Sequence, residues 1–403
     1  PGAETLPLEL KGEEAAGSYF LPGKTGDGKK KVTVQIVYVS GDGKRHLTQA
    51  LTHDIDFGRS IAARPAPGKT PEPKGTKDDY FGLAREVGKL VVQDLKIPAK
   101  DILPCMIFAP DGEHVFTLEK EGYLRRIAMK NFEGDLLLDV GRRCSWLALS
   151  KEGLIVTVPD AQEFLVVDPA TFKIKRRVEA PTPSRVVASP ATSVVISASG
   201  DRVGGRGTLS VFDLKNDTVN DIPSARFKGG IGTDMAALSA DGKHFFTYGG
   251  IEQVFRFRVE GTELHLEQVS QRIGQNAQAL IVSPDSKYVA LPSGGGNYRG
   301  LPDHPMISTY TTYVYPIDNV RRPAFTLESG AYPRTVGFDP KADLAYAQNH
   351  GKQLIIFSMT GRKLQEHVLG RGDTRQFLVH PEGRRIMVLM QDTLAFVQIP
   401  EEK

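Results

Sequence analysis

The sequence predicts an all-β fold: a seven-bladed β-propeller preceded by a small N-terminal β-hairpin module. Three observations support this prediction. A hairpin-like motif recurs along the chain, strand-like segments follow every copy, and one early strand is left over to complete the last unit. A repeat of about 40 residues built from short strands is typical of propeller blades, which are four-stranded sheets arranged around a channel.

The recurring motif is a strand, a tight turn and a returning strand, as in "FAPDGEHVF" from Phe108 to Phe116. Proline, aspartate and glycine favour the turn, and the apolar residues on both sides favour strands. The position of Pro110 recurs at six later places, 39 to 56 residues apart: Lys151, Pro190, Ala240, Pro284, Pro340 and Pro381. These seven copies predict the first two strands of seven blades.

Each copy is followed by a third, apolar strand and a more polar fourth strand. The third strands are predicted in "FLVVDP", "LSVFDL", "VFRFRV", "TYVYPID", "LIIFSM" and "LAFVQIP". The segment "FKIKRRVEAP", from Phe172 to Pro181, is typical of a fourth strand, because edge strands that face water carry charged residues. The last unit ends at its third strand. We therefore predict that Lys89 to Pro98, "KLVVQDLKIP", supplies the missing strand and closes the ring.

The residues before the ring have a different pattern. Apolar residues alternate on either side of a Gly-Asp-Gly turn between Lys31 and Phe57, which predicts a β-hairpin, and "ETLPLEL" and "GSYFLPG" are candidates for further strands. Thr76 and Gly88 are predicted to begin and end a short helix through "DDYFGLAREVG". The predicted boundaries are a β module at 1–61, a Pro/Gly/Lys-rich linker at 62–77 and the propeller at 78–403.

The composition argues against two classes of function. The chain has 403 residues with 40% hydrophobic and 25% charged, but no apolar run near the roughly 20 residues that a membrane helix needs. A net charge of +3, from 51 basic and 48 acidic residues, lacks the basic excess typical of nucleic-acid binders. Cys105 and Cys144 are interpreted as buried residues near the first strands. We expect a monomer without a cofactor. Any targeting segment would lie outside these residues, so the compartment stays open.

The repeats resemble bacterial seven-bladed propellers of the WD-repeat and YVTN type, from about Lys89 to Lys403. The SPDG-like turns and the "VFDL" strand, Val211 to Leu214, carry the resemblance. Trp146 is the only tryptophan, so the repeats contain no Trp-Asp dipeptide. The resemblance implies the architecture and a habit of binding partners. Propellers serve many functions, so it does not by itself specify this one.

Several short motifs are interpreted as structural. "PGKT" occurs at 22–25 and 67–70, but neither copy has the upstream glycine that a phosphate-binding loop needs. The Arg-Gly-Asp sequence at 371–373 is predicted to be a plain connector between blades. Three histidines are predicted to be surface residues beside the turns: His114, His244 and His380. No histidine spacing indicates a zinc site, and no catalytic motif is recognisable.

The candidate site follows from propeller geometry. The connectors from each fourth strand to the next first strand lie on one face, where the channel opens. That geometry should bring Arg185, Arg334 and Arg375 together from different blades, with Arg143 beside them and Asp234 as an acid in the same set.

The two longest connectors between second and third strands should lie on the same face, at 199–208 and 292–309. Long glycine-rich loops on a rigid scaffold often carry function. The longer connector supplies four further candidates for contact with a ligand or partner: Tyr298, Arg299, Asp303 and His304.

These residues predict an arginine-rich recess for an anionic ligand or an acidic peptide, because guanidinium groups bind carboxylates in a bidentate manner. The alternative for the arginines is that they pair with local acids and carbonyls. The leading functional prediction is a non-catalytic propeller that binds another protein or an anionic ligand. The alternatives are a hydrolase resembling YVTN-type lactonases, acting in the channel, and a sensor or periplasmic domain of a longer protein.

Overall fold

The computed structural model describes most of the predicted propeller and part of the N-terminal region. The described residues are 29–34, 37–39, 45–47, 51–56, 84–95, 97, 99–181, 183, 185–199, 207–223, 226–227, 235–248, 253–272, 277, 279–293, 310–370 and 372–401. The chain divides into two compact units, Pro1–Gly68 and Lys69–Lys403. The predicted linker, the two further strand candidates, both "PGKT" motifs and Thr76 lie outside the described residues. The predicted boundaries at 61/62 and 77/78 stay predictions.

The first unit contains two pairs of antiparallel strands. Its strands are β1 (Lys29–Val34), β2 (Val37–Val39), β3 (Arg45–Leu47) and β4 (Leu51–Asp56). Strand β1 pairs with β4, and β2 pairs with β3. The pair β2–β3 lies between β1 and β4 in the sequence, as expected for the hairpin predicted between Lys31 and Phe57.

The second unit contains seven antiparallel sheets, which we number blades 1 to 7 in chain order. Two strands precede blade 1: β5 (Ala84–Val87) and β6 (Leu90–Leu95). Blades 1 to 3 contain β7 (Ile107–Phe108), β8 (His114–Leu118), β9 (Tyr123–Ala128), β10 (Glu133–Asp139); β11 (Leu147–Ser150), β12 (Gly153–Val158), β13 (Glu163–Val167), β14 (Ile174–Glu179); and β15 (Arg185–Ala188), β16 (Val194–Ser199), β17 (Thr208–Asp213), β18 (Thr218–Pro223).

Blades 4 to 7 continue in the same order along the chain. They contain β19 (Ala236–Leu238), β20 (His244–Tyr248), β21 (Val254–Glu260), β22 (Glu263–Val269); β23 (Ile281–Val282), β24 (Tyr288–Ser293), β25 (Thr311–Pro316), β26 (Phe325–Leu327); β27 (Val336–Asp339), β28 (Leu344–Asn349), β29 (Lys352–Ser358), β30 (Lys363–His367); and β31 (Thr374–Val379), β32 (Arg385–Met390), β33 (Leu394–Gln398). Single 3-10 turns occur at Ala99–Asp101 and Pro159–Ala161. Within the described ranges, no helix is long and apolar enough to cross a membrane.

Blade 7 is completed by a strand from the start of the unit, as predicted. Its strand order is β31-β32-β33-β6-β5, with Leu394 opposite Leu95 and Gln398 opposite Val91. Leu90 and Val92 of β6 pack into the blade 7 core, where Val92 is completely buried. The ring is therefore closed by main-chain hydrogen bonds between distant parts of the sequence.

The prediction of a helix that ends at Gly88 is wrong for its last turn, residues 84–87. Ala84–Val87 instead forms β5, an outer fifth strand paired with β6, and Gly88 has a φ of +62° in the connecting turn. Strand β6 offers an edge of unpaired backbone groups, and pairing with that edge outweighs a weak helical preference. The side chain of Arg85 also contacts that of Asp94 across the pair, at 3.3 Å.

The recurring turns link neighbouring blades, which explains why the motif repeats. They lie at one end of the sheets, which we call the turn face; the opposite end, where the first strands begin, is the mouth face. Hydrogen bonds between turn-face residues of adjacent blades join Lys151 N–H to Thr192 O at 3.0 Å, Ser189 Oγ to Ala240 O, Ala240 N–H to Ser286 Oγ at 2.9 Å, and Arg384 N–H to Asp339 Oδ2 at 2.5 Å. Each turn thus closes its own hairpin and contacts a neighbouring turn.

His380 forms the corresponding link between blades 7 and 1. The prediction that it is a surface residue is wrong, because it is only 5% exposed and its ring lies edge-on to Phe108 at 5.0 Å. Its Nε2 lies 3.1 Å from the carbonyl oxygen of Gly112, and its Nδ1 accepts from the backbone N–H of Glu382 at 3.1 Å. This pair of contacts matches a neutral imidazole that carries its proton on Nε2.

Acidification below about pH 6.5, the usual histidine pKa, should destabilise the propeller. Burial lowers the pKa of His244, His367 and His380 in the folded state. As the pH falls, the unfolded chain binds protons first, so stability is lost from about pH 6.5 down to the lowered folded-state values. Urea unfolding at pH 7.5 and 5.5 measures this loss. His380→Gln should reduce the loss of stability between these two pH values, and an unchanged loss in this variant would contradict the assignment.

Candidate functional site

A cavity of about 380 Å³ lies where the first strands of the blades begin. All seven blades contribute to its lining, which continues along the first strands to Val282, Phe338 and Val379, so the cavity comprises the central channel and its mouth. One lining residue from each blade, in chain order, is Cys105, Trp146, Arg185, Ala236, Ala279, Arg334 and Arg375. The propeller brings these residues together because the first strands all start at the same face.

The charged side chains among the described lining residues are three arginines, Arg185, Arg334 and Arg375. Arg185 is the first residue of β15, Arg375 is the second residue of β31, and Arg334 precedes β27 by two residues. Blades 3, 6 and 7 therefore direct positive charge to a single recess. We call these residues the arginine recess.

Arg185 lies over the ring of Trp146, with the guanidinium carbon 3.9 Å from the ring centroid. This is a cation–π contact, which helps to hold the guanidinium group in place. Trp146 is half-buried and belongs to the preceding blade, so the contact also joins blades 2 and 3 at the mouth. Propeller geometry predicts Trp146 at the mouth, but its contact with Arg185 was not predicted.

Arg375 is held in a partly desolvated position. Burial lowers the pKa of its guanidinium group, and one of its nitrogens donates to the carbonyl oxygen of Ala99 at 3.4 Å. The adjacent Gln376 fixes the strand, because its amide accepts from the N–H of Met106 at 2.8 Å and donates to the carbonyl oxygen of Met106 at 2.9 Å. An arginine stays charged at neutral pH, so an anion placed beside it would restore lost solvation.

Arg334 already has an acidic neighbour. One of its guanidinium nitrogens lies 3.1 Å from a carboxylate oxygen of Asp373, and the other carboxylate oxygen lies 3.5 Å from Nδ1 of His350. The sequence left open the alternative that the arginines pair with local acids. Arg334 shows such a pair. Sequence reasoning missed Asp373, which belongs to the Arg-Gly-Asp connector. Its place between a fourth strand and the next first strand could have assigned it to the mouth face.

The two cysteines are free and buried, as interpreted from the sequence. Burial raises the pKa of the Cys105 thiol to about 12 and that of the Cys144 thiol also to about 12. At neutral pH both groups are therefore protonated thiols, which are poor nucleophiles. Cys105 lines the cavity as a small apolar side chain rather than as a reactive group.

The remaining predicted site residues do not line the cavity in the described structure. Arg143 is exposed and is not part of the described lining. Five other candidates lie outside the described residues: Asp234, Tyr298, Arg299, Asp303 and His304. Where the chain is described, no group of three His, Cys, Asp or Glu side chains is arranged to hold a metal ion.

The comparisons support the fold alone. No family model and no curated protein sequence matches the chain. Among solved structures, the chain is similar to U3-55K, a WD40 protein, with a TM-score of 0.58 and 12% identity over 76% of this chain and 98% of that chain. As many as 1592 solved chains match. The seven-bladed propeller is thus a common architecture, and the function must be argued from the site.

Proposed function

We propose that this propeller is a non-catalytic binding protein whose mouth face takes an anionic ligand or an acidic segment of another protein. The observation that carries the proposal is the arginine recess, in which three blades supply cations to one cavity of about 380 Å³. Arginine binds carboxylates and phosphates with directed hydrogen bonds, and partial burial strengthens such contacts. Arg185, Arg334 and Arg375 are the ligands in this proposal, and at Arg334 the incoming anion competes with Asp373.

The chemistry of the lining favours binding over hydrolysis. A lactonase of the kind left open by the sequence would need acids and a histidine, or a metal site, that converge on the channel. The described lining residues carry three arginines, the protonated thiol of Cys105 and mainly apolar side chains. The binding proposal uses the arginines directly.

Titration with citrate tests the proposal, because Trp146 is the only tryptophan and lies beneath Arg185. Binding of this tricarboxylate at constant ionic strength should change the tryptophan emission in a saturable way, whereas the neutral trimethyl ester should not. Arg185→Gln should weaken citrate binding about tenfold, because a hydrogen bond to a charged group contributes about 1.5–3 kcal/mol. Dissociation constants, rather than amplitudes, are compared because Arg185→Gln also changes the surroundings of Trp146.

Arg362→Gln is the matched control, since Arg362 is an exposed arginine in the turn between β29 and β30, on the turn face. It should bind citrate like the parent protein. If citrate leaves the emission unchanged, or if Arg362→Gln weakens binding as much as Arg185→Gln, the recess is not the anion site.

A further inference from the structure

We infer that the natural occupant of the arginine recess is an extended peptide segment that carries an acidic residue and, two positions away, an aromatic or large apolar residue. This inference rests on the proposed function and adds a second contact to it. The second contact is a cluster of exposed rings beside the recess, Tyr310, Tyr332 and His350, which we call the aromatic rim.

The aromatic rim is a continuous exposed surface. The rings of Tyr310 and Tyr332 lie edge-on with centroids 5.6 Å apart, and those of Tyr332 and His350 are 6.3 Å apart. Tyr310 is 39% exposed and Tyr332 is 52% exposed, and both are among the large exposed side chains of the described residues. His350 joins the rim to the recess, because its Nδ1 lies 3.5 Å from the carboxylate of Asp373, the partner of Arg334.

Tyr332 is held in this exposed position by its backbone. Its φ of +57° is a left-handed conformation that is unfavourable for a bulky residue. Three hydrogen bonds from the end of β28 fix the loop that contains it: Gln348 Nε2 to Tyr332 O at 3.0 Å, Asn349 Nδ2 to Ser329 O at 2.6 Å, and His350 N–H to Ala331 O at 2.9 Å. The backbone that carries the exposed ring is therefore fixed, and a partner would not have to order the loop on binding.

The spacing of Tyr332 and Arg334 is compatible with an extended peptide as the partner. Tyr332 and Arg334 are two residues apart, so their backbones are separated by at most about 7 Å. In an extended peptide, side chains at positions i and i+2 point the same way and are about 7 Å apart. A peptide carboxylate that binds Arg334 in competition with Asp373 would thus place its i+2 side chain near the aromatic rim. Tyrosine and arginine are also the residue types that most often dominate the energy of protein interfaces.

Two short peptides and citrate test the inference, with Trp146 emission as the readout. The peptides are acetyl-Gly-Glu-Gly-Phe-Gly-amide and acetyl-Gly-Glu-Gly-Gly-Gly-amide, which differ only in the aromatic ring. We expect the phenylalanine peptide to bind about threefold to tenfold more tightly, the usual gain for an aromatic pair. Tyr332→Gly should abolish this difference without affecting citrate binding, and Tyr332→Phe should retain it.

Tyr332→Gly is the informative variant because glycine adopts a positive φ without strain, so the loop should fold at least as well as in the parent protein. If both peptides bind equally to the parent protein, or if Tyr332→Gly keeps the difference, the inference is overturned while citrate binding still supports the recess. If citrate also fails to bind, the proposed function fails, and the inference fails with it.

Discussion

Replacing Val92 by asparagine is expected to lower the free energy of unfolding of the propeller by about 3–5 kcal/mol. Val92 is completely buried on β6 and lies opposite Val397 of β33, in the pairing that closes the ring. The variant loses the burial of a valine side chain, worth about 1.5–3 kcal/mol, and buries an amide without a partner, which costs about 1–3 kcal/mol. Urea unfolding followed by circular dichroism measures the change.

The adjacent residue provides a matched control. Val91 is on the same strand but its side chain is 40% exposed, on the other face of the pleat. Val91→Asn makes the same change in composition and in strand propensity, yet it should alter the free energy of unfolding by only about 0.5 kcal/mol. Similar losses in the two variants would show that the pairing of β6, and not its buried face, determines the effect. A small loss in Val92→Asn would mean that the ring does not depend on this closure.

The repeated part of the fold could be predicted from the sequence because the signals were local and occurred seven times. A turn such as Pro110-Asp111-Gly112 fixes a hairpin, and the apolar strands on either side fix which face is buried. The missing strand of the last unit then had one candidate, and the pairing of β6 with β33 confirms it. The closure was predictable because a count of strands does not depend on where each strand begins or ends.

The two errors in the fold concern contacts that no local pattern encodes. Residues 84–87 have a weak helical preference, but the edge of β6 offers backbone partners that a local pattern does not reveal. His380 follows a strand in a turn-like sequence, which suggests exposure, yet it is buried against Phe108 and Gly112 of blade 1. Gly112 is 268 residues away from His380 along the chain, so only closure of the ring brings the two together. Both outcomes were decided by tertiary contacts.

The site was predictable in its geometry and less so in its chemistry. That Arg185, Arg334 and Arg375 line one cavity follows from the place where first strands begin. Two contacts of the site depend on side-chain conformations in neighbouring blades: the stacking of Arg185 on Trp146 and the pairing of Arg334 with Asp373. A count of strands cannot predict side-chain conformations. The same limit applies to the aromatic rim, whose members come from three different connectors.

Reversing the charge at Arg375 is expected to weaken citrate binding by about 100-fold or more, equivalent to about 3 kcal/mol. Arg375→Glu removes a charge-assisted hydrogen bond worth about 1.5–3 kcal/mol and places a carboxylate where a ligand carboxylate would bind. Arg375 is half-buried, so water screens the repulsion less than at an exposed site. Citrate titrations of Trp146 emission, at constant ionic strength, measure the loss.

The same variant separates a binding role from a structural one. If Arg375 mainly supports the fold, through its contact with the carbonyl oxygen of Ala99, Arg375→Glu should lower the free energy of unfolding and leave the affinity of the folded fraction for citrate unchanged. If the recess binds anions, the affinity of the folded fraction for citrate falls, whereas loss of a single long hydrogen bond at 3.4 Å by itself contributes little to the free energy of unfolding. Arg362→Glu, on the turn face, controls for the change in net charge and should leave both quantities unaltered.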